Sequence, residues 1–229
     1  MIKPNRTSTL YLASANPGKL REFQEAASSA GISVEMLPGF SRLPPCVEDG
    51  KTFEDNARKK ALHYSPFVSG LVLADDSGLV VDALAGRPGV YSARYSGPGA
   101  TDESNNRRLI GELSLIAATH PPEDFGFSAD PSSVRGFHAH YVCALAVAEG
   151  SQCVAVTEGR VDGMILEAPR GTGGFGYDPH FYYPPFRKTF AEVSAGEKYA
   201  VSHRGIAFRK LLDCLAQRCS TSGAARRCD

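Results

Sequence analysis

The chain has 229 residues, 42% hydrophobic and 22% charged, which is enough for one substantial core or two smaller ones. Lysine plus arginine equals aspartate plus glutamate at 25 each, so the net charge is zero and no overall basic field favours nucleic acid. No apolar run approaches the roughly 20 residues that span a bilayer, and the N-terminus lacks the sustained apolar segment of a secretory signal. We therefore expect neither a nucleic-acid nor a membrane partner.

The chain has six cysteines, but none forms a C-x-x-C pair and no histidine cluster accompanies them. Zinc-ligand spacing is therefore absent. An even number of cysteines permits disulfides, although a chain of this length with its own core does not need such cross-links. The sequence predicts reduced thiols in a cytoplasmic protein. The cysteines are Cys46, Cys143, Cys153, Cys214, Cys219 and Cys228.

In the first part of the chain, predicted strands alternate with predicted helices. Residues 8–14 (STLYLAS) and 32–37 (ISVEML) are short apolar strands on either side of a helix that ends at Gly31. A second helix follows in KTFEDNARKKALHYS, with Thr52 as its N-cap and Asp55 in the capping-box position. GLVLADDSGLVVDAL then gives a strand, a polar break and a second strand. This alternation predicts an α/β fold with at least a partly parallel sheet.

The second part of the chain contains a helix, a loop, a hairpin and a final helix. Residues 102–118 have a helical pattern, and the stretch at 119–136, rich in Pro, Ser, Gly and Asp, is a predicted surface loop. FHAHYVCALAVAEG and QCVAVTEGRVDGMIL flank a Gly-Ser turn and predict a β-hairpin. An amphipathic helix at 204–217 completes a single domain of residues 1–217, and we expect residues 218–229 to be a disordered tail.

The turn SANPGK, residues 14–19, is the first of four polar segments in this pattern. A strand-to-helix turn exposes backbone N–H groups at a helix N-terminus, which suits a phosphate, and Asn16 and Lys19 add further donors. The G-x-x-x-x-G-K-[ST] pattern of a P-loop is missing. A plain turn with a solvated lysine is therefore the alternative.

Acidic residues mark the second and third polar segments. Glu48 precedes a helix on which Asn56 and Lys60 share a face, an arrangement that suits a metal and phosphates or simply an exposed charged helix. In LADDSG, Asp75 and Asp76 end an apolar strand, where α/β sheets bind ligands and where oxygen ligands suit Mg²⁺. Adjacent strand residues point to opposite faces, so only one of the two acids needs to reach a ligand. An acidic turn is the alternative here.

The fourth polar segment combines TGGFGYDPHF with EKYAVSHRG. Its three glycines let a backbone approach a ligand closely, and Phe175 and Tyr177 offer rings on which a base can stack. Lys198, His203 and Arg204 supply donors for phosphate or carbonyl groups just before the last helix. His203 taken alone is also compatible with a structural histidine.

These segments resemble, in order, the motifs of the Ham1/RdgB-type inosine triphosphate pyrophosphatase family. SANPGKLREF, TFEDNARKKA, LADDSGLVVDALAGRPGVYSARYSG, GTGGFGYDPHF and EKYAVSHRG all occur here. The resemblance implies an enzyme that uses Mg²⁺ to hydrolyse non-standard purine nucleoside triphosphates (ITP, dITP and XTP) to the monophosphate and pyrophosphate, which cleanses the nucleotide pool. It also implies a two-lobed α/β fold with a central elongated mixed sheet flanked by helices, an active site in the cleft between the lobes, and a homodimer.

The resemblance also carries roles to individual positions. Asp76 matches the proton acceptor, Glu48 and Asp76 match the Mg²⁺ ligands, and Ser77 matches a substrate contact. The remaining substrate-binding positions that we expect from the motifs are Ser14, Ala15, Asn16, Pro17, Gly18, Lys19, Asn56, Lys60, Phe175, Gly176, Tyr177, Asp178, Lys198, His203 and Arg204.

The chain departs from the family pattern mainly in length. Ser14 and Ala15 stand where the family has Thr and Gly, whereas the loop at 119–136 and the tail after residue 217 are additions to the pattern. An insertion of this kind is able to alter the surface through which a dimer forms.

We expect the reaction to be hydrolysis by an activated water. Asp76 orients or deprotonates a water that attacks the α-phosphorus, and pyrophosphate leaves. Lys19, Lys60 and Lys198 neutralise the charge that develops on the phosphates.

The fourth segment predicts how the base is read. Phe175 stacks on the purine, while Asp178 either accepts hydrogen bonds from base N–H groups or fixes the loop. Arg204 and a protonated His203 only donate hydrogen bonds, so both suit the 6-oxo group of hypoxanthine or xanthine rather than the amino group of adenine.

Two other functions are alternatives to this one. A nucleotide sensor without turnover requires a broken acid site, whereas Glu48, Asp75 and Asp76 are all present. A Maf-type pyrophosphatase shares the fold and prefers pyrimidine or modified nucleotides, but the SHRG segment argues against it.

Overall fold

A computed structural model describes residues 9–28, 31–119 and 136–224 of the chain. The predicted insertion, apart from residues 119 and 136, lies outside this range, as do the last five residues of the predicted tail. Among the helices of the described residues, none has an apolar stretch of the length that spanning a bilayer requires. The helices and strands are β1 (Thr9–Leu12), α1 (Pro17–Ser28), β2 (Ser33–Met36), α2 (Phe53–Tyr64), β3 (Leu71–Val81), α3 (Asp102–Thr119), β4 (Phe137–Glu149), β5 (Gln152–Ile165), β6 (Phe181–Tyr183), β7 (Lys188–Thr189), α4 (Ala195–Val201) and α5 (His203–Ala224).

The strands form one seven-stranded mixed sheet in the order β2-β1-β3-β4-β5-β6-β7. Strand β1 pairs in parallel with both β2 and β3, with Leu10 opposite Val34 on one side and Leu71 on the other. Strands β5, β6 and β7 pair antiparallel, with Ile165 opposite Phe181. The α/β fold with a mixed sheet flanked by helices, predicted from the sequence, is therefore confirmed.

The chain divides into two compact units. Of the described residues, those within 1–76, 143–159 and 204–229 form unit 1, and those within 77–142 and 160–203 form unit 2. The core of unit 1 is rich in alanine: Ala57 and Ala61 of α2 belong to the same buried cluster as Ala144, Ala146 and Ala148 of β4. Small side chains let a helix lie close to the sheet, which brings the polar groups of α2 near the strand ends.

Unit 2 has a core of a different composition, with large aromatic rings. The ring of Tyr141 lies 4.5 Å from that of Phe181, and Phe181 lies 4.9 Å from Phe190, measured between ring centroids. Leu79 and Leu109 are fully buried in the same cluster. Tilted aromatic pairs of this kind are favourable beyond the area that they bury.

Several predicted elements are confirmed and two need correction. Thr52 is the N-cap of α2, and its side chain accepts a hydrogen bond from the Asp55 amide at 3.1 Å. The segment 71–81, predicted as two strands with a polar break, is one continuous strand, because the charge of Asp75 is neutralised by residues distant in sequence. Helix α5 runs to Ala224, past the predicted end at residue 217, since residues 218–224 contain no proline and a single glycine, Gly223, next to the helix end.

Candidate active site

Asp75 is the centre of a charged cluster in unit 1. It follows the last residues of β3 that pair in parallel with β1, and its side chain is buried, with 1% of its surface exposed. The Lys19 ammonium donates to its Oδ1 at 2.9 Å, and the Arg204 Nε lies 3.7 Å from its Oδ2. Burial opposes ionisation, but Lys19 and Arg204 outweigh it and hold the pKa of Asp75 well below its usual range. Asp75 is therefore a buried anion that holds two cations.

Arg204, the second residue of α5, is also fully buried in unit 1. Its Nη1 donates to the Glu22 carboxylate of α1, and burial is outweighed by Glu22 and Asp75, which raise its pKa above the usual range. Glu22 was not predicted from the sequence, although its position on α1, three residues after Lys19, places both on one helix face. The base-reading role expected of Arg204 stays a prediction, and its guanidinium here engages two carboxylates.

Asp76 has different surroundings from its neighbour. Its side chain is partly exposed and accepts a hydrogen bond from Asn56 Nδ2 at 2.9 Å. Burial raises the pKa of Asp76 to about 6, with further contributions from the negative charges of Glu48 and Asp75, while Asn56 and Lys60 oppose the shift. A carboxylate with a pKa just below neutrality is well suited to accept a proton from water.

Asn56 connects Asp76 with the loop that carries Glu48. It is 1% exposed, donates to Asp76, and accepts from the Gly50 amide at 2.8 Å. The sequence motifs predicted that Asn56 binds substrate. In the structure, both polar atoms of its side-chain amide hold parts of the protein, so its geometry is that of a positioning residue.

Lys60 and Glu48 complete the cluster in unit 1. The Lys60 ammonium lies 2.9 Å from Glu48 Oε2 and donates to the backbone carbonyl of Asp75 at 3.1 Å. Burial lowers the pKa of Lys60, but Asp75 and Glu48 outweigh it and raise the pKa overall. We refer to Lys19, Glu22, Glu48, Asn56, Lys60, Asp75, Asp76 and Arg204 together as the Asp75 cluster.

Glu48 and Asp76 suit a magnesium ion. Within the described residues, no group of three or more His, Cys, Asp or Glu side chains is placed to hold a metal. Mg²⁺ in nucleotide enzymes, however, commonly takes one or two carboxylates and completes its shell with water and phosphate oxygens. The negative charge of Glu48 contributes to the raised pKa of Asp76, so a cation beside both carboxylates is electrostatically favoured.

The turn at 14–19 presents fewer free amides than predicted. Asn16 Oδ1 accepts from the Gly18 amide at 2.8 Å and from the Lys19 amide at 3.3 Å, and the Asn16 amide donates to Ser14 Oγ at 3.1 Å. The first donors of α1 are therefore satisfied within the turn. Ala15 and Pro17 are exposed, and the Lys19 side chain retains 19% exposure.

Unit 2 contains a second buried carboxylate, Asp178. It is 2% exposed, and its Oδ2 accepts from the Lys198 ammonium at 2.5 Å and from the Phe175 amide at 2.9 Å. The Tyr141 hydroxyl lies 3.5 Å from its Oδ1. Of the two roles considered for Asp178, fixing the glycine-rich loop is the one that its geometry supports.

Aromatic rings surround this ion pair. The Lys198 ammonium lies 4.6 Å from the ring centroid of Phe175, and the ring of Tyr141 stacks on His203 at 4.6 Å and 12°. The Phe175 ring is partly exposed, whereas Tyr177 is buried and its hydroxyl donates to the Ser92 carbonyl at 2.8 Å. We refer to Tyr141, Phe175, Asp178, Phe190, Lys198 and His203 as the Asp178 cluster.

Two residues of α3 that sequence reasoning missed also contact the loop. Asp102 accepts from the Gly176 amide, and Asn106 donates to the Gly176 carbonyl. Their spacing of four along one helix face is a possible signal, but the same pattern is usual for a solvated surface. Ser77, predicted to contact substrate, is partly exposed at the start of unit 2.

A lysine-flanked pair of carboxylates beyond the end of paired parallel strands is typical of α/β enzymes that act on phosphates. A sequence model of the Ham1 family matches residues 10–214, and the chain belongs to this family. It is 44% identical over 202 residues to a dITP/XTP pyrophosphatase of Desulfotalea psychrophila, which covers 88% of this chain and 82% of the relative. It is 45% identical over 202 residues to a dITP/XTP pyrophosphatase of Geobacillus kaustophilus, covering 88% and 91% respectively.

Solved structures agree with this assignment. A HAM1 protein from Coxiella burnetii superposes with a TM-score of 0.75 at 34% identity and covers 92% of this chain and 99% of its own. A nucleoside-triphosphatase or dITP/XTP pyrophosphatase from Mycobacterium abscessus superposes with a TM-score of 0.64 at 39% identity, covering 90% and 99%.

Proposed function

We propose that the chain hydrolyses the non-standard purine nucleoside triphosphates ITP, dITP and XTP to the monophosphate and pyrophosphate, with Mg²⁺ as its cofactor. Membership of the Ham1 family and relatives named dITP/XTP pyrophosphatase make it a hydrolase of nucleoside triphosphates. The observation that carries the mechanism is Asp76, a partly exposed carboxylate that Asn56 holds at 2.9 Å and that follows directly after Asp75, the residue that Lys19 and Lys60 contact.

The residues of the Asp75 cluster divide the chemistry among them. Glu48 and Asp76 would hold Mg²⁺, which when bound polarises phosphate oxygens as a Lewis acid. Asp76 accepts the proton of the attacking water, and Asn56 keeps its carboxylate in one orientation through the hydrogen bond at 2.9 Å. Lys19 and Lys60 stabilise the charge that develops on the triphosphate, because both ammonium groups are held in place by Asp75.

The Asp178 cluster is the proposed purine site. Phe175 has a partly exposed ring on which a base can stack, and Lys198 and Asp178 fix the loop that carries it. His203, held by its stack on Tyr141, is a candidate donor to the 6-oxo group of hypoxanthine or xanthine. Lys198, buried against Asp178, is better placed to hold this loop than to meet a phosphate.

A product assay tests the proposal. Purified protein is incubated with ITP, XTP, dITP, GTP and ATP, with and without Mg²⁺, and monophosphate, diphosphate, phosphate and pyrophosphate are quantified. We expect IMP and pyrophosphate in equal amounts from ITP, slow turnover of ATP, and loss of activity without the metal. Accumulation of IDP with orthophosphate contradicts cleavage between the α and β phosphates.

We further propose a cytoplasmic homodimer. The dimer is an expectation from the family resemblance, and the location follows from the nucleotide pool that the reaction would serve. Light scattering at several protein concentrations measures the oligomeric state, and a mass of one chain throughout would refute the dimer.

A further inference from the structure

The backbone of Gly176 is held on both sides by two side chains of α3. Asp102 Oδ2 accepts from the Gly176 amide at 2.7 Å, and Asn106 Nδ2 donates to the Gly176 carbonyl at 2.9 Å. Asp102 and Asn106 are one helical turn apart, so a single face of α3 contacts both polar atoms of the loop at this residue. We refer to these two contacts as the α3 clamp.

The loop needs such a restraint because its own backbone is permissive. Gly174 and Gly176, on either side of Phe175, have φ angles of +70° and +63°. Glycine populates these and many other conformations readily, so a loop of this composition is easily disordered. The clamp restricts the peptide that follows Phe175, while Asp178 binds the Phe175 amide itself at 2.9 Å.

Helix α3 is able to supply the clamp without losing its own N-terminal cap. Thr101 Oγ1 accepts from the Ser104 amide at 3.1 Å, which caps the first turn. The Asp102 carboxylate is therefore not required as the cap. Its exposed position, together with a charge-assisted contact to the Gly176 N–H, gives the loop an anchor outside the Asp178 cluster.

We propose that Asp102 and Asn106 are positioning residues that set the affinity for the purine by holding the loop that carries Phe175. This inference rests on the proposed function, since it takes Phe175 as the surface on which the base stacks. If only part of the protein has the loop in the competent conformation, the apparent affinity falls by that fraction while the catalytic step is unchanged. Loss of the α3 clamp is therefore expected to raise KM, whereas changes to the Asp75 cluster are expected to lower kcat.

Alanine substitutions give the primary test. We expect Asp102→Ala to raise KM for ITP about tenfold and Asn106→Ala about three- to fivefold, because a hydrogen bond to a charged group is worth more than a neutral one. Both variants should keep kcat within about twofold of the wild type. Asp102→Asn retains an acceptor oxygen and should restore KM to within about threefold of the wild-type value.

Glu103→Ala is the matched control. Glu103 is an acid in the same first turn of α3, but it pairs with Arg107 on the surface. Its removal changes the helix charge as Asp102→Ala does and leaves the clamp intact. KM for ITP should be unchanged in this variant, and equal KM values for Glu103→Ala and Asp102→Ala would overturn the proposal.

Hydrogen exchange of the nucleotide-free proteins separates the clamp from the function. Amides of residues 173–178 should exchange at least about tenfold faster in Asp102→Ala and Asn106→Ala than in the wild type or Glu103→Ala. Unchanged exchange in both clamp variants would refute the positioning role, even if one of them lost activity through misfolding. A wild-type protein with protected loop amides and no turnover of ITP would instead refute the proposed function.

Discussion

The Asp75 and Asp178 clusters are each built around a carboxylate that is almost completely buried and held by lysine, yet their surroundings differ. Asp75 neutralises two cations, Lys19 and Arg204, and has a second, partly exposed carboxylate beside it in the chain. Asp178 neutralises Lys198 within a shell of aromatic rings. The first cluster presents charges that remain accessible, whereas the second uses its charges internally.

This difference indicates a division of labour. A buried ion pair costs desolvation energy, which its attraction offsets only when the geometry is good, so such a pair is best explained by the structure that it specifies. In the Asp178 cluster that structure is the loop of Phe175. In the Asp75 cluster it is the placement of Lys19 and Lys60 at Asp75, the residue before Asp76, whose own pKa suits proton transfer.

The largest expected effect is that of Asp76→Asn on turnover. The amide keeps the shape of the side chain but cannot accept the proton of the water, so we expect kcat for ITP to fall by about 10²–10⁴-fold. Steady-state kinetics at saturating Mg²⁺ measure it, with Asp49→Asn as the control, because Asp49 is an exposed acid paired with Lys59. A variant that retains more than about a tenth of the wild-type kcat would assign proton transfer to another group.

Loss of either buried carboxylate should reduce stability, and more so for Asp75. Asp75→Asn leaves Lys19 and Arg204 without their shared partner, and breaking a buried pair costs about 3–5 kcal/mol of unfolding free energy. Asp178→Asn leaves one cation, so its cost should lie at the lower end of that range. Urea denaturation of both variants compares the two values. Equal losses would mean that the second cation of the Asp75 cluster adds nothing to stability.

The dependence of stability on pH distinguishes Asp76, whose pKa is raised, from Asp75, whose pKa is lowered. The pKa of Asp76 is about 6 in the folded protein, above its ordinary value of 3.8, so the folded state binds more protons than the unfolded state between these values. The contribution of Asp76 to the free energy of unfolding is therefore fully present below pH 4 and is lost as the pH rises through about 6.

The asparagine in Asp76→Asn does not titrate, so its contribution to the free energy of unfolding does not change with pH. Without metal or nucleotide, its unfolding free energy relative to the wild type should rise from pH 4 to pH 7.5 by up to about 3 kcal/mol. Urea denaturation at pH 4, 5.5 and 7.5 measures the difference. A constant difference across this range would show that Asp76 has an ordinary pKa.

The smallest effect concerns the ring of Phe175. Stacking of a base on an aromatic ring is worth about 1–3 kcal/mol, and leucine retains part of the apolar contact, so Phe175→Leu should raise KM for ITP about tenfold. The kcat value should change little. Phe186→Leu, at a partly exposed ring that packs edge-on against Tyr183, is the control. A fall in kcat at constant KM would connect Phe175 with the chemistry instead.

Local patterns in the sequence predicted most of the fold. The alternation of strands and helices, the N-cap Thr52 and the Gly-Ser hairpin turn all depend on interactions between close neighbours in the chain. The break expected at Asp75 was wrong, because the buried charge of Asp75, which would be costly if unpaired, is neutralised in the folded protein. Lys19 and Arg204, which pair with Asp75, are far from it in the sequence.

Which residues belong to the candidate site was easier to predict from the sequence than what each residue does there. The family motifs brought Asn56 and Asp178 into the candidate site, but a sequence does not say whether an amide or a carboxylate faces a ligand or its own protein. Asp102 and Asn106 were missed for a related reason. Polar residues on an exposed helix face are usually solvated, and only the folded loop gives them a partner.

The two glycines beside Phe175 should respond very differently to inherited variation. Any side chain at Gly174 would collide with the Asp178 carboxylate, and the φ of +70° at this position is also unfavourable for a residue with a Cβ. Every substitution of Gly174 is therefore expected to have the same effect as the loss of Asp178. At Gly176, with a φ of +63°, no heavy atom of the described residues other than its own and those of its chain neighbours lies within 4 Å of the Cβ position. Asparagine, which adopts this conformation more readily than most residues, should therefore be tolerated. Gly174 is therefore expected to tolerate no substitution, whereas Gly176, two positions later, is expected to tolerate the few residues that adopt a positive φ.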